Sequence, residues 1–230
     1  MTKSPSFPIQ AVIFDLDGVL TDTLEFHYLS WKQLADEEGI PFDREANEAL
    51  RGLTRGESLR LVLQGREVGD ETFQSMMERK NRYYLELSQN MTLDHVLPGV
   101  LPLLTELRAA GVRMALGSAS RNARAVVQRL GIAEFLDVIG DGSCVTQSKP
   151  TPDIFLYAAT QLGLDPANCL VVEDAASGVE AALRAGMWVV GLGPEERVGA
   201  AHLVFPNLEG VHWVDVVHKL TYQRRAIAAT

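Results

Sequence analysis

The chain has 230 residues, of which 47% are hydrophobic and 22% are charged, and this composition excludes an extended disordered chain. The length predicts one full-sized domain together with a smaller one. The formal net charge of −9 argues against a nucleic-acid-binding protein, which would need a basic face. A small anionic partner stays possible, because a few local cations can hold a phosphate against the overall field.

Neither a membrane span nor a disulfide framework is expected. The longest unbroken apolar run is residues 154–159, whereas a transmembrane helix needs about 20 apolar residues. Residues 1–10 contain no apolar segment of the kind found in export signals. Cys144 and Cys169 lie far apart in the sequence and form no paired motif. We therefore expect free thiols and a cytoplasmic location.

Apolar runs alternate with helical patterns through most of the chain. The first run, Ala11–Phe14, is apolar on both faces, as in a central strand of a parallel sheet. The later candidate strands are residues 112–116, 138–139, 169–172 and 187–190. The helical patterns between them are residues 100–110, 122–130, 153–162 and 176–185. This alternation predicts an α/β fold with a doubly wound, Rossmann-like parallel sheet.

Residues 24–90 break this alternation and show helical periodicity only. Leu24, Tyr28, Trp31 and Ala35 have the spacing of one helix face. Further helices are expected to start at or just after Asp43, Thr54 and Asp70. The sequence therefore predicts a core domain of residues 1–23 and 91–230 with an inserted all-helical cap domain of residues 24–90. Residues 224–230 are expected to form a frayed tail.

Pairs of carboxylates follow two of the predicted strands. Asp15 and Asp17 come after the first strand, and Glu173 and Asp174 come after residues 169–172. Ligands of open α/β sheets bind at this carboxyl edge. Close carboxylates repel unless a cation neutralises them or they share a proton, and oxygen ligands of this kind select Mg²⁺. A single pair would also fit a solvated loop, but the repetition favours a magnesium site.

A hydroxyl and an ammonium group are expected near the same edge. Ser118 follows the strand at residues 112–116, where it is also a candidate N-cap for the next helix. Lys149 precedes Pro150, and its compact charge suits a phosphate oxygen, although it is also a candidate surface lysine. Phosphoryl transfer through an aspartyl phosphate needs these groups: carboxylates, a hydroxyl group and an ammonium group.

Four segments resemble the signature motifs of the haloacid dehalogenase superfamily in their usual order. They are DLDGVLTDT at residues 15–23, GSAS at 117–120, KPTPD at 149–153 and EDAASG at 173–178. The helical insert directly after the first motif is similar to the C1-type cap of that superfamily. The resemblance spans the chain and implies a Rossmann-like core with a helical cap over the active site.

A narrower resemblance links the chain to the β-phosphoglucomutase family. It is carried by His27 and Trp31 and by residues 51–59, 79–81 and 118–123. It implies interconversion of β-D-glucose 1-phosphate and glucose 6-phosphate through an aspartyl phosphate and β-glucose 1,6-bisphosphate. The implied partners are small sugar phosphates, with neither nucleic acid nor membrane, and the implied state is a monomer.

The same resemblance implies roles for individual residues. The catalytic residues would be Asp15 as nucleophile, Asp17 as general acid and base, and Ser118 and Lys149 as holders of the transferring phosphoryl group. The ligands of Mg²⁺ would be Asp15, Glu173, Asp174 and the backbone carbonyl of Asp17. The residues that bind substrate would be Asp17, His27, Trp31, Gly52, Leu53, Arg55, Ser58, Lys80, Ala119 and Asn122.

Alternatives remain open for the cap residues and for the reaction. Arg55 is also a candidate partner for Glu57 or Glu45, and Lys80 lies in a basic run that is typical of a solvated helix face. A magnesium-dependent phosphatase acting on a small sugar phosphate or on phosphoglycolate would use the same core motifs. A receiver-like switch would also hold phosphate on Asp15, but it would not need a substrate-enclosing cap.

Overall fold

The computed structural model describes residues 9–227, without the side chains of residues 224–227. Residues 1–8, which make up most of the segment considered for an export signal, lie outside the described residues. A six-stranded parallel sheet of order β3-β2-β1-β4-β5-β6 forms the core, which confirms the predicted fold class. Its strands are β1 Ala11–Phe14, β2 Arg113–Gly117, β3 Val138–Gly140, β4 Cys169–Glu173, β5 Trp188–Leu192 and β6 Leu203–Phe205.

The first strand lies at the centre of the sheet because both of its faces are apolar. Val12 and Phe14 pack into one buried cluster, and Ala11 and Ile13 pack into the cluster on the opposite face. β1 pairs with β2 on one side and with β4 on the other, both in parallel. The residues that follow these strands therefore meet at one edge of the sheet.

Helices cover both faces of the sheet and form the insert. In chain order they are α1 Leu24–Glu37, α2 Arg44–Glu48, α3 Arg55–Val62, α4 Asp70–Ser88, α5 Val100–Ala109, α6 Ala123–Arg129, α7 Asp153–Leu162, α8 Ala176–Arg184, α9 Glu195–Val198 and α10 Trp213–Ile227. None of the helices within the described range is long and apolar enough to cross a membrane. Cys144 and Cys169 are both free, as the sequence predicts.

The inserted helices α1 to α4 share an apolar cluster of their own. Trp31, Leu34, Leu59 and Met76 are buried in it, which accounts for the helical periodicity of residues 24–90. Two of the expected N-cap residues, Asp43 and Thr54, accept a backbone N–H at the start of their helix. Their donors and acceptors are Ala46 N–H to Asp43 Oδ1 at 2.9 Å, and Glu57 N–H to Thr54 Oγ1 at 3.4 Å. We refer to α1 to α4 as the cap.

Replacement of Thr54 by Ala is expected to lower the free energy of unfolding by about 1 kcal/mol. Thr54 and Glu57 form a reciprocal capping box at the start of α3, in which the Thr54 N–H donates to Glu57 Oε2 at 2.8 Å. Urea unfolding followed by circular dichroism measures the change. Thr105→Ala, on the exposed face of α5, is the matched control and should change stability by no more than about 0.5 kcal/mol. Equal effects of the two substitutions would contradict a role for this capping box.

Three elements near the C-terminus were not predicted, namely α9, β6 and α10. β6 has only three half-buried residues, too few to show a strand pattern. α10 begins where Glu106 of α5 accepts the backbone N–H of Trp213 at 2.8 Å, and this capping contact joins residues 107 positions apart. α10 continues to Ile227, so the expectation of a frayed tail from residue 224 is wrong for residues 224–227. Residues 228–230 lie outside the described residues.

Candidate active site

Three carboxylates converge at the carboxyl edge of the neighbouring strands β1 and β4. Asp15, Glu173 and Asp174 are all buried, and one oxygen from each lies within 4.8 Å of the others. Burial, followed by the charge of Asp15, raises the pKa of Glu173 well above its usual value and that of Asp174 to about 6. The edge therefore holds more negative charge than its own residues neutralise.

Lys149 supplies a cation inside this cluster. Its Nζ lies 2.5 Å from Asp15 Oδ1 and 3.2 Å from Glu173 Oε1. Although burial opposes the charge, the carboxylates of Asp15 and Glu173 raise the pKa of the Lys149 ammonium group. Lys149 is fully buried, so the alternative of a surface lysine is wrong.

Two glycines leave the space that these carboxylates occupy. A Cβ atom at Gly18 would lie 2.2 Å from Asp174 Oδ2, and a Cβ atom at Gly178 would lie 1.7 Å from Glu173 Oε1. Gly18 also has a φ of +83°, a conformation that side-chain-bearing residues rarely adopt. The glycines of the first and last motifs are therefore required by close contact with the acidic cluster.

Asp17 stands beside the cluster and faces the cap. Its Oδ1 accepts a hydrogen bond from the Thr23 hydroxyl and lies 3.8 Å from Nε2 of His27. Burial raises the pKa of Asp17 to about 8, and the charges of Asp15 and Asp174 act in the same direction. The Asp17 carboxyl group can consequently carry a proton near neutral pH, as a general acid must.

Lys80 of α4 supports His27 from the interior of the cap. Its Nζ lies 2.8 Å from His27 Nδ1, and it also lies over the rings of Trp31 and Tyr84 at 4.9 and 5.0 Å. A lysine nitrogen donates, so we assign the imidazole proton to Nε2, which faces Asp17. The side chain is 3% exposed, so the expectation of a solvated helix face is wrong for Lys80.

The loop after β2 presents Ser118 to the same edge. Its Oγ accepts the N–H of Ser120 at 3.1 Å, whereas α6 begins only at Ala123 and has no side-chain cap. The alternative of Ser118 as the N-cap of this helix is therefore wrong. Among the described residues no acceptor faces the Ser118 hydroxyl hydrogen, which leaves it available to an anionic ligand.

Arg55 provides a cation on the cap side. Its Nη2 donates to Asn81 Oδ1 at 2.7 Å, and the same oxygen accepts a hydrogen bond from Asn122 Nδ2 of the core at 2.9 Å. Burial, and then the charge of Arg121, lowers the pKa of Arg55. Within residues 9–223, Arg55 forms no ion pair with a carboxylate. The alternatives of Glu57 or Glu45 as its partner are therefore wrong.

These groups line one cavity of about 440 Å³ between the cap and the core. The predicted site residues all contribute to its wall: Asp15, Asp17, His27, Trp31, Gly52, Leu53, Arg55, Ser58, Lys80, Ser118, Ala119, Asn122, Lys149, Glu173 and Asp174. Trp31 belongs both to the apolar cluster of the cap and to this wall. The cavity therefore has an acidic end at the sheet and a cationic region below the cap.

Comparison with known proteins identifies the family. The model of the haloacid dehalogenase-like hydrolases matches residues 9–186. The chain belongs to this superfamily. The β-phosphoglucomutase of Bacillus subtilis (strain 168) is 44% identical to this chain, and the match covers 85% of this chain and 88% of the relative.

Two further relatives of the chain are a mutase and a phosphatase. The crystal structure of a β-phosphoglucomutase from Clostridium difficile matches with a TM-score of 0.90 and 37% identity, over 95% of this chain and 99% of that one. The phosphorylated carbohydrates phosphatase of Thermotoga maritima is 32% identical over 78% of this chain and 82% of the relative. The chain is therefore β-phosphoglucomutase-like within a superfamily that also contains phosphatases.

Sequence reasoning assigned no role to several residues of this haloacid dehalogenase-like site. Asn81 joins cap to core, Arg121 lies near Arg55, and Arg51 contacts Asp174. Ser148 of the core donates to Glu57 of the cap at 2.7 Å. Asn81 and Arg121 each adjoin a residue that was chosen, but no sequence signal pointed to the pairings across the cavity.

Proposed function

We propose that this protein is a β-phosphoglucomutase that interconverts β-D-glucose 1-phosphate and glucose 6-phosphate. The observation that carries the proposal is a second cationic region in the cavity, opposite Asp15, where Arg55 has no carboxylate partner within residues 9–223. A mutase needs two phosphate sites, because its bisphosphate intermediate must bind in two orientations. The 44% identical relative from Bacillus subtilis carries the same name.

Asp15 acts as the nucleophile of this reaction. An oxygen of its carboxylate attacks phosphorus, and the bond between phosphorus and the sugar oxygen breaks. Lys149 and Ser118 hold the oxygens of the transferring group, because the ammonium group already contacts Asp15 and the hydroxyl hydrogen is free. In the reverse half-reaction the sugar hydroxyl takes the phosphoryl group from Asp15.

Asp17 moves the proton in both halves of the reaction. It donates a proton to the sugar oxygen that leaves phosphorus, and it accepts the proton of the hydroxyl that attacks the aspartyl phosphate. Thr23 and His27 hold its carboxylate below the cap, and Lys80 holds His27. Attack of the 6-hydroxyl of β-glucose 1-phosphate on the phosphorus of the aspartyl phosphate breaks the bond to Asp15 and yields the bisphosphate. Transfer of the 1-phosphoryl group of the bisphosphate to Asp15 then yields glucose 6-phosphate.

The acidic cluster fits a magnesium ion. Three buried carboxylates with oxygens within 4.8 Å of one another, and with raised pKa values at Glu173 and Asp174, form a hard-oxygen site with unbalanced charge. Asp15, Glu173, Asp174 and the backbone carbonyl of Asp17 would hold the ion. When bound, Mg²⁺ supplies positive charge that stabilises the transferring phosphoryl group.

Arg55 holds the phosphate that is not being transferred, with Arg121 and Asn122 beside it. A guanidinium group suits this task because it binds phosphate through two parallel hydrogen bonds. Residues 24–90 act as a cap domain that keeps water away from the aspartyl phosphate while the intermediate is bound. Monomeric state and cytoplasmic location complete the proposal, and both remain predictions.

Replacement of Lys80 by Met is expected to lower kcat about 10- to 100-fold. The variant keeps the apolar stem between Trp31 and Tyr84 but removes the amine that holds His27. Unfolding stability should fall by no more than about 1–2 kcal/mol, because Met keeps the packing of the stem and only the hydrogen bond to His27 Nδ1 is lost. Steady-state kinetics and thermal unfolding give both readouts. Lys32→Met, on the exposed face of α1, is the control and should change neither, whereas equal kcat values for the two variants would contradict the role of Lys80.

A magnesium-dependent phosphatase is the second candidate, favoured by the Thermotoga maritima relative named phosphorylated carbohydrates phosphatase. The two functions differ in the acceptor of the phosphoryl group, which is a sugar hydroxyl or water. A mutase also needs Asp15 to be phosphorylated before it can act on β-glucose 1-phosphate. Trace β-glucose 1,6-bisphosphate should therefore stimulate formation of glucose 6-phosphate strongly. Phosphate release that does not depend on the bisphosphate would instead support the phosphatase.

A further inference from the structure

The cap places a cation directly against the acidic cluster. Arg51 lies between α2 and α3, and its Nη1 donates to Asp174 Oδ2 at 2.7 Å. The other side of the guanidinium donates to Glu48, through Nε at 2.6 Å and Nη2 at 3.2 Å. The Arg51 side chain is 16% exposed and that of Asp174 is 8% exposed, so water screens this contact weakly.

The backbone next to Arg51 is seated tightly on the core. Gly52 has a φ of +73°, and a Cβ atom there would lie 2.5 Å from the Ser177 hydroxyl at the start of α8. On the other side of the turn, Glu57 accepts a hydrogen bond from Ser148 of the core. The guanidinium of Arg51 therefore reaches Asp174 only while this part of the cap rests on the core.

A single divalent cation would balance the charge of the cluster without Arg51. The carboxylates of Asp15, Glu173 and Asp174 and the ammonium of Lys149 sum to −2, which one divalent cation neutralises. A guanidinium on Asp174 adds a further positive charge close to the bound ion. Two cations at short range in a poorly screened site repel each other.

Asp174 does not need Arg51 for its position. Its backbone carbonyl accepts a hydrogen bond from Nε of Arg197 at 2.7 Å. Its carboxylate also fills the space beside Gly18 that a Cβ atom would otherwise occupy. Removal of the Arg51 charge therefore removes repulsion without releasing the ligand.

We propose that Arg51 competes with the divalent cation for the carboxylate of Asp174, so that seating of the cap weakens metal binding. The coupling is reciprocal, and a bound metal ion must weaken the hold of the cap on the core to the same degree. The proposal concerns only the metal site and the cap, so it applies equally to a mutase and a phosphatase.

Magnesium titration of Arg51 variants tests the competition. Isothermal titration calorimetry of the full chain without substrate should show Mg²⁺ binding to Arg51→Gln about fivefold tighter than to wild type. Arg51→Lys keeps the charge but loses the forked contact with Glu48 and Asp174, so its Mg²⁺ affinity should lie between those of wild type and Arg51→Gln. Arg44→Gln is the matched control, since it removes an exposed cap arginine that pairs with Glu25 far from the cluster. Binding to Arg51→Gln that equals or is weaker than binding to Arg44→Gln would overturn the proposal.

A measurement on the wild-type protein covers the case in which Arg51→Gln fails to fold. Hydrogen exchange of residues 51–54 should become faster when Mg²⁺ saturates the site, because the metal loosens the contact of Arg51 with Asp174. Residues 75–84 of α4 in the interior of the cap provide the internal reference. Unchanged or slower exchange of residues 51–54 on addition of Mg²⁺ would overturn the proposal.

Discussion

Replacement of Asp17 by Asn is expected to lower kcat about 10³-fold, with Mg²⁺ affinity close to that of wild type. The amide can neither donate a proton to the leaving sugar oxygen nor accept one from the attacking hydroxyl. Metal binding persists because the Asp17 carboxylate is not among the three clustered carboxylates, and only its backbone carbonyl is proposed as a ligand. Stopped-flow kinetics and calorimetry measure the two properties separately.

Asp22→Asn is the matched control for this substitution. Asp22 is an exposed carboxylate in the same segment whose Oδ1 accepts the N–H of Leu24 at 3.1 Å, and an amide oxygen can accept that bond equally well. Its kcat should stay within about twofold of wild type. Turnover by Asp17→Asn that matches Asp22→Asn would show that Asp17 is not the acid and base. A parallel loss of Mg²⁺ binding would show that its side chain belongs to the metal site.

Replacement of Arg55 by Ala is expected to lower kcat/KM for β-glucose 1-phosphate about 10²- to 10³-fold. The guanidinium and Asn122 of the core loop donate to the same oxygen, Asn81 Oδ1, and within residues 9–223 Arg55 forms no ion pair with a carboxylate. Its removal leaves the second phosphate without its main partner. The change should be large because the group acts in a partly buried site, where charge-assisted hydrogen bonds are strong.

A small phosphoryl donor separates this role from a general loss of structure. Acetyl phosphate has one phosphate and needs only the site formed by Asp15, Ser118 and Lys149. Its hydrolysis by Arg55→Ala should therefore stay within about threefold of wild type. Arg82→Ala, on the exposed face of α4, should leave both reactions unchanged. Equal losses with acetyl phosphate and with the sugar phosphate would place Arg55 in the structure of the cap instead of at a second phosphate.

The sequence predicts most of the fold because the relevant signals are local. β1 is recognisable by its apolar residues on both faces, and α3 is recognisable by Thr54 with Glu57 three positions later. The acidic cluster is predictable for a related reason. Parallel strands end at a common edge, so Asp15 and Glu173 must meet if the strands before them are neighbours.

The contacts across the cavity could not be predicted in this way. Arg51 and Asp174 are 123 positions apart, and Ser148 and Glu57 are 91 positions apart. Their pairing depends on how the cap rests on the core, which no periodicity or capping pattern encodes. Lys80 shows the same limitation. Its basic run predicts a solvent-exposed helix face, whereas the side chain is buried against the rings of Trp31 and Tyr84.

The ratio of products from β-glucose 1-phosphate tests the central claim most directly. The purified protein is incubated with this substrate, Mg²⁺ and a trace of β-glucose 1,6-bisphosphate, and ³¹P NMR follows glucose 6-phosphate and inorganic phosphate in the same sample. A mutase whose cap excludes water from the aspartyl phosphate should form at least about ten molecules of glucose 6-phosphate for each phosphate released. Release of one phosphate for each molecule of substrate consumed would contradict the mutase and identify a phosphatase.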